Sequence, residues 1–157
     1  MKTLVLAAAV ALAPLAAVAE EAAVLVSYGT SSGSLPPEYA WDNEVIIYED
    51  GKLVITHCKG YATEPPGCKT RKGKVSEEAM QAIRDAAIAS DLAANPAKPA
   101  PDPMVGGGGS WGKVMVDGQT YEILWDPRAE DANRTGDLVR AIDAAIPDKF
   151  ARFMYPE

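Results

Sequence analysis

Two Asp-Gly dipeptides, each set between apolar runs, constrain this chain more than any other feature. The first stands in 45-VIIYEDGKLVITHC-58 and the second in 113-KVMVDGQTYEILW-125. Asp-Gly accepts the left-handed backbone that a tight β-hairpin needs, so each stretch reads as two antiparallel strands and a turn. With Asp50 and Gly51 as the two turn residues, Glu49 faces Lys52, Ile47 faces Val54, and Glu44 faces His57 as a candidate cross-strand pair. Both faces are then apolar near the middle, which predicts a central pair of strands covered on both sides. The second hairpin alternates cleanly. Val114, Val116, Tyr121, Ile123 and Trp125 fall on one face, Lys113, Met115, Thr120 and Glu122 on the other.

A helical pattern follows each hairpin. Ser76 is placed to cap a helix with Glu77 and Glu78 in its first turn, and Ala79, Met80, Ile83, Ala86 and Ala87 form its apolar stripe. This helix should end near Leu92, ahead of Asn95-Pro96. Leu138, Ala141, Ile142, Ala145 and Ile146 predict a second helix, started near Thr135 and stopped by Pro147. Residues 23-AVLVSYGT-30 read as a first strand. The segment 95-NPAKPAPDPMVGGGGS-110, with four prolines and the Gly106–Gly109 run, reads as a surface loop. Phe150, Phe153, Met154 and Tyr155 give the tail an aromatic patch to pack back on the body. The expectation is an α+β fold: an antiparallel sheet of four or five strands with two helices against one face, laid out as tandem ββα.

The two units differ in length. Gly51 and Ser76 are 25 positions apart, Gly118 and Thr135 only 17. The excess lies mainly in 56-THCKGYATEPPGCKTRKGK-74, which reads as a loop inserted in a repeated plan, where binding residues tend to sit.

Residues 1–19 have the form of a secretory leader: Lys2, an apolar core from Leu4 to Val18, and small residues up to a cleavage point after Ala19. Pro14 and the charge that follows argue against a retained membrane anchor. The expectation is one exported domain over 20–157, periplasmic or secreted. Without Lys2 it has 14 basic against 22 acidic residues, a net −8, which disfavours nucleic acid as a partner. Two cysteines in an exported chain point to a disulfide, Cys58–Cys68.

Most motif matches fail on their surroundings. Gly29-Thr30-Ser31-Ser32-Gly33 spells a nucleophile elbow, but Leu35-Pro36-Pro37 forbids the helix that must follow. Gly107 to Lys113 spells the front of a phosphate loop, yet Val114 offers no hydroxyl and begins no helix. His57 is the only histidine and lacks the companions a zinc or copper site needs. The run 126-DPRAEDANRTGD-137 lacks calcium-loop spacing and reads as solvated charge at a helix approach. No catalytic residue, metal or cofactor is assigned.

Charge distribution is the feature that survives. Residues 59–74 hold Lys59, Lys69, Arg71, Lys72 and Lys74 against Glu64 alone, a net +4, leaving −12 on the rest of the exported chain. Such polarity steers an anionic partner to one end, and a stapled loop with Pro65-Pro66-Gly67 lowers the entropy lost on binding. Tyr61 adds an aromatic anchor. The paired ββα plan resembles small bacterial protease-inhibitor domains. The Cys58–Cys68 ring, with its Pro-Pro, is similar to that of Bowman–Birk inhibitors, though longer and with a different residue order. The leading expectation is a non-enzymatic exported binding or accessory protein that takes an acidic protein or anionic ligand through this loop. The resemblances imply an alternative, an inhibitor of an exported protease with Lys59, Tyr61 or a neighbour presented to its cleft. An enzyme of unfamiliar type is the third reading.

Overall fold

The computed structural model describes residues 22–102 and 104–155; the leader read in residues 1–19 lies outside them. The elements run β1 (Val24–Ser31), β2 (Trp41–Tyr48), β3 (Lys52–Lys59), β4 (Cys68–Lys74), α1 (Glu77–Ser90), β5 (Gly109–Val116), β6 (Gln119–Ile123), α2 (Ala129–Ala145) and α3 (Asp148–Met154). All six strands form one antiparallel sheet in the order β4-β3-β2-β1-β5-β6. The α+β expectation holds, but with six strands and three helices in place of four or five and two. No helix among the described residues is long and apolar enough to cross a membrane.

The additional strand is β4, CKTRKGK, the second half of what the sequence presented as a basic loop. It has no apolar alternation because it is an edge strand, where charged side chains face water and discourage pairing with another chain. Pairing with β3 and the Cys58–Cys68 disulfide hold it in the sheet. The segment is therefore not an insertion into a repeated ββα plan; it gives the first unit a third strand.

The first Asp-Gly turn also differs from expectation. Tyr48 and Lys52 close a three-residue connection in which Gly51 is left-handed at φ +79° and its N–H donates to the Tyr48 carbonyl at 2.9 Å. The register is accordingly Ile47–Leu53, Val45–Ile55 and Asn43–His57, and Glu44 faces Thr56 instead of His57. This register puts Val45, Ile47, Leu53 and Ile55, all wholly buried, on one face. The two-residue turn would have divided them between faces, and burial on a single helix-covered face decides between the two. The hairpin is thus covered on one side, not on both. The second turn is the two-residue form, with Asp117 at φ +50° and Gly118 at φ +76°.

The helices supply the cover. Ser76 accepts from the Ala79 N–H at 3.2 Å to cap α1, which buries Met80, Ile83 and Ala87. Leu138, Ile142 and Ala145 of α2 complete the same core. α2 begins at Ala129, ahead of Thr135, because the acidic approach is a helical turn with a structural task. Asp131 is buried there, taking the Lys98 N–H at 2.8 Å and the Arg134 guanidinium at 2.6 Å. Arg134 donates onward to the carbonyls of Ser90 and Asn95, which ties the proline-rich segment to both helices. The Gly106–Gly109 run has a packing role as well. A Cβ on Gly108 would meet the Ser31 carbonyl and one on Gly109 the Trp125 ring, so glycine lets this segment lie against its neighbours.

Candidate anion-binding site

The helix-covered face is apolar along most of its length but ends in polar residues. Thr30, Asn43 and His57 stand side by side there on β1, β2 and β3, each at most 4% exposed. The Asn43 amide nitrogen donates to Thr30 Oγ1 at 3.2 Å and to the Met154 carbonyl at 3.3 Å. A carbonyl can only accept, so the amide orientation is fixed and its oxygen faces His57 Nδ1 at 2.8 Å. Nδ1 must therefore hold the proton and donate it. In the neutral ring Nε2 is then a bare lone pair, and it is buried without a hydrogen-bond partner among the described residues. Burial first, and then the Lys59 and Lys69 ammonium groups, push the His57 pKa below its ordinary value, so the ring is neutral at pH 7.

Cations from three elements share a cleft with His57. Lys59 ends β3, and Lys69 and Arg71 occupy the helix-side positions of β4, the former directly opposite His57. Lys149 and Arg152 lie three residues apart on α3, hence on one side of the helix. Together with His57 and Phe153 these five line a cleft of about 300 Å³, and among the described residues no carboxylate is in its wall. Phe153 organises it, with its ring 5.8 Å from that of His57 and the Arg71 guanidinium 4.5 Å above its centre. A second recess of about 400 Å³ shares His57 and Lys59 and is walled by Glu38, Tyr39, Trp41 and Tyr155. Trp41 and Tyr155 meet edge-to-face at 5.2 Å. The arrangement offers a cationic half and an aromatic half, joined at one buried imidazole.

α3 is fixed by close approach to β4. Phe150, 4% exposed, lies against Gly73, where a Cβ would overlap the ring, and Met154 is buried beside it. The aromatic tail thus packs on its own chain.

Of the residues singled out from the sequence, Lys59, Lys69 and Arg71 converge. Lys72 and Lys74 do not, because strand alternation turns them to the opposite face with Thr70. Tyr61 is held elsewhere, its hydroxyl donating to the Leu35 carbonyl at 2.5 Å. The Glu44–His57 pair is replaced by Asn43–His57. Cys58–Cys68 forms as expected, one position beyond the His57–Lys69 pair, and so clamps the strand end that presents both. Lys149, Arg152, Phe153 and Asn43 were missed. Lys149 and Arg152 have helical spacing, but nothing local to the tail tells that α3 docks beside β4.

The uncovered face of the sheet is mixed in charge, with Asp42 and Glu44 on β2 as well as Lys72 and Lys74 on β4. A recess of about 300 Å³ there is lined in part by Asp42, Glu44, Thr56 and Trp111. No three His, Cys, Asp or Glu side chains among the described residues converge as a metal site would require. The chain matches no protein-family model and no curated protein, so its function has to be argued from the chemistry of these sites.

Proposed function

We propose that this protein is a non-enzymatic binding or accessory protein that captures an anionic ligand, or an acidic group of a partner protein, in the cleft around His57. One observation supports this most directly: five cations and His57, whose Nε2 is buried and unpartnered among the described residues, line a cavity with no described carboxylate in its wall, on a chain whose net charge is −7. Cations with no ion-pair partner among the described residues set up a local positive potential, and charge-assisted hydrogen bonds from Lys and Arg are the strong kind. The basic segment 59–74 contributes through Lys59, Lys69 and Arg71, with α3 as the opposite wall. An exported location fits the leader-like residues 1–19 and the disulfide, which oxidising compartments preserve.

The test is calorimetric titration of the protein with phenyl phosphate, phenyl sulfate and benzoate at 20 mM and at 500 mM NaCl. Binding of at least one anion should weaken steeply with salt, and K149Q/R152Q should weaken it further at an unchanged melting temperature. Binding that ignores both salt and these two exposed charges would refute the reading. The protease-inhibitor alternative would show itself as slowed cleavage in a panel of serine proteases. The tethering of Tyr61 to Leu35 removes one side chain from such a role.

A further inference from the structure

We infer that the cleft takes its anion together with one proton, and that the ligand it is built for is a phosphomonoester. This rests on the anion-binding reading above and specifies the chemistry of the same site.

The inference starts from His57 Nε2. This nitrogen is buried and without a partner among the described residues, and its residue, His57, is in the wall of both the cationic cleft and the aromatic recess. Leaving a buried polar atom unpaired costs about 1–3 kcal/mol unless something arrives to pair with it. The partner it wants is defined by the tautomer. Asn43 holds the Nδ1 proton, so a neutral ring offers Nε2 only as an acceptor. A fully deprotonated anion has nothing to donate and would face a lone pair. The contact becomes favourable only if a proton lies between the ligand oxygen and Nε2.

The groups facing His57 set where that proton comes from. Lys59 on β3, Lys69 and Arg71 on β4, and Lys149 and Arg152 on α3 are cationic; Glu38 and the Tyr155 phenol border the recess; Asn43 and Phe153 are neutral. Burial, and then the cations Lys59 and Lys69, oppose protonation of the ring, which agrees with its lowered pKa. An anion neutralises that field and reverses the preference, so the complex draws one proton from solvent. The balance is anion plus neutral His57 plus one H⁺ giving the complex, in which the proton is shared along O–H–Nε2.

Among oxyanions the phosphomonoester fits this exchange best. Its second pKa of about 6 lies close to that of a free imidazole at about 6.5, so the proton is shared with little bias. Its two other terminal oxygens are free for the lysines and arginines. A carboxylate, with a pKa near 4, gives fewer oxygens and leaves the proton wholly on the ring, and a sulfate ester, being more acidic still, does the same. The neighbouring Tyr39, Trp41 and Tyr155 suit an ester with a flat apolar group, so phenyl phosphate is the probe.

The experiment is titration calorimetry of the whole chain with phenyl phosphate, in buffers of low and high ionisation enthalpy, at pH 7.5, 8.0 and 8.5. At these values both the free ester and the free ring are largely unprotonated. The expected result is uptake of close to one proton per ligand, with a Kd that weakens by up to about tenfold per pH unit. His57→Gln should bind with no uptake and a flat pH profile, whereas Arg152→Gln should bind more weakly with uptake intact. The histidine is unique in the chain. Its Nε2 resonance and the ³¹P shift of the bound ester therefore report the same proton in the unmutated protein, should His57→Gln misfold. Tight binding without proton uptake, or uptake that survives His57→Gln, would overturn the inference while leaving anion binding in place. Phenyl sulfate that binds as tightly as phenyl phosphate would overturn the choice of phosphate. Failure of all three anions to bind would overturn the anion-binding reading itself.

Discussion

Replacing Gly73 by alanine adds a single methyl group to an edge strand, and the structure says it should weaken a binding cleft whose cations it does not touch. A Cβ there would lie 2.5 Å from Phe150 Cε2 and nearer still to Cζ. Carbon atoms rest at about 3.5–4.0 Å, so at least about 1 Å must be recovered by movement. Gly73 is not in the left-handed region, so backbone strain does not contribute and the effect is steric. A strand bound by its register and disulfide resists displacement more than a seven-residue helix anchored by Phe150 and Met154. α3 should therefore move. Overpacking of this kind costs about 1–3 kcal/mol, which leaves the protein folded but lowers Tm by about 3–15 °C. Lys149 and Arg152 retreat with the helix. At about 0.5–1 kcal/mol per exposed charge contact, anion affinity should fall about 5- to 30-fold. Phe150→Leu removes the overlapping ring atoms, so G73A/F150L should be less damaged than the two single effects summed, with a coupling of about 0.5–3 kcal/mol. Thermal melts and calorimetric titration of the four proteins measure both effects. If Gly73→Ala binds as the parent does and the cycle is additive, α3 does not owe its position to this contact.

Other outcomes follow from the same geometry. Removing the disulfide as C58A/C68A should lower stability by about 2.5–3 kcal/mol, the chain-entropy value for an eleven-residue ring, read by urea unfolding; a loss well under 1 kcal/mol would mean that strand pairing alone holds the ring closed. Asn43→Ala strands the Met154 carbonyl and His57 Nδ1 in the interior, and should cost about 2–4 kcal/mol and release the imidazole from its single tautomer, visible in its ¹⁵N shifts. The His57 pKa is lowered on folding, so below 6.5 the unfolded chain binds more protons; without ligand, Tm should rise with pH through 6.5, and His57→Gln should flatten that slope. The Asp131 carboxyl is held below its ordinary value by the Lys98 N–H and then by Arg134, so its contribution is present above pH 4 and lost as pH falls through the folded value. Asp131→Asn should therefore lower Tm at pH 7 and matter much less near pH 2.

By itself the sequence determined the two Asp-Gly hairpins, the stripes that became α1 and α2, the disulfide, and the concentration of positive charge near it. These are encoded locally, in turn residues and in periodicities of two and 3.6. It also placed three of the five clustered cations, since Lys59, Lys69 and Arg71 lie in that charged segment. The rest depends on contacts between distant residues. β4 has no apolar pattern and is a strand only because β3 offers it a partner. The first turn's three-residue form was set by the need to bury Val45, Ile47, Leu53 and Ile55 together, and that one-position shift gave His57 to Asn43 instead of Glu44. Lys149 and Arg152 joined the site because Phe150 could settle on Gly73, an arrangement that neither segment announces alone. Strand alternation likewise sent Lys72 and Lys74 to the other face. Charge can be counted along a chain, but the convergence of charges, and the state of one imidazole among them, is decided by packing.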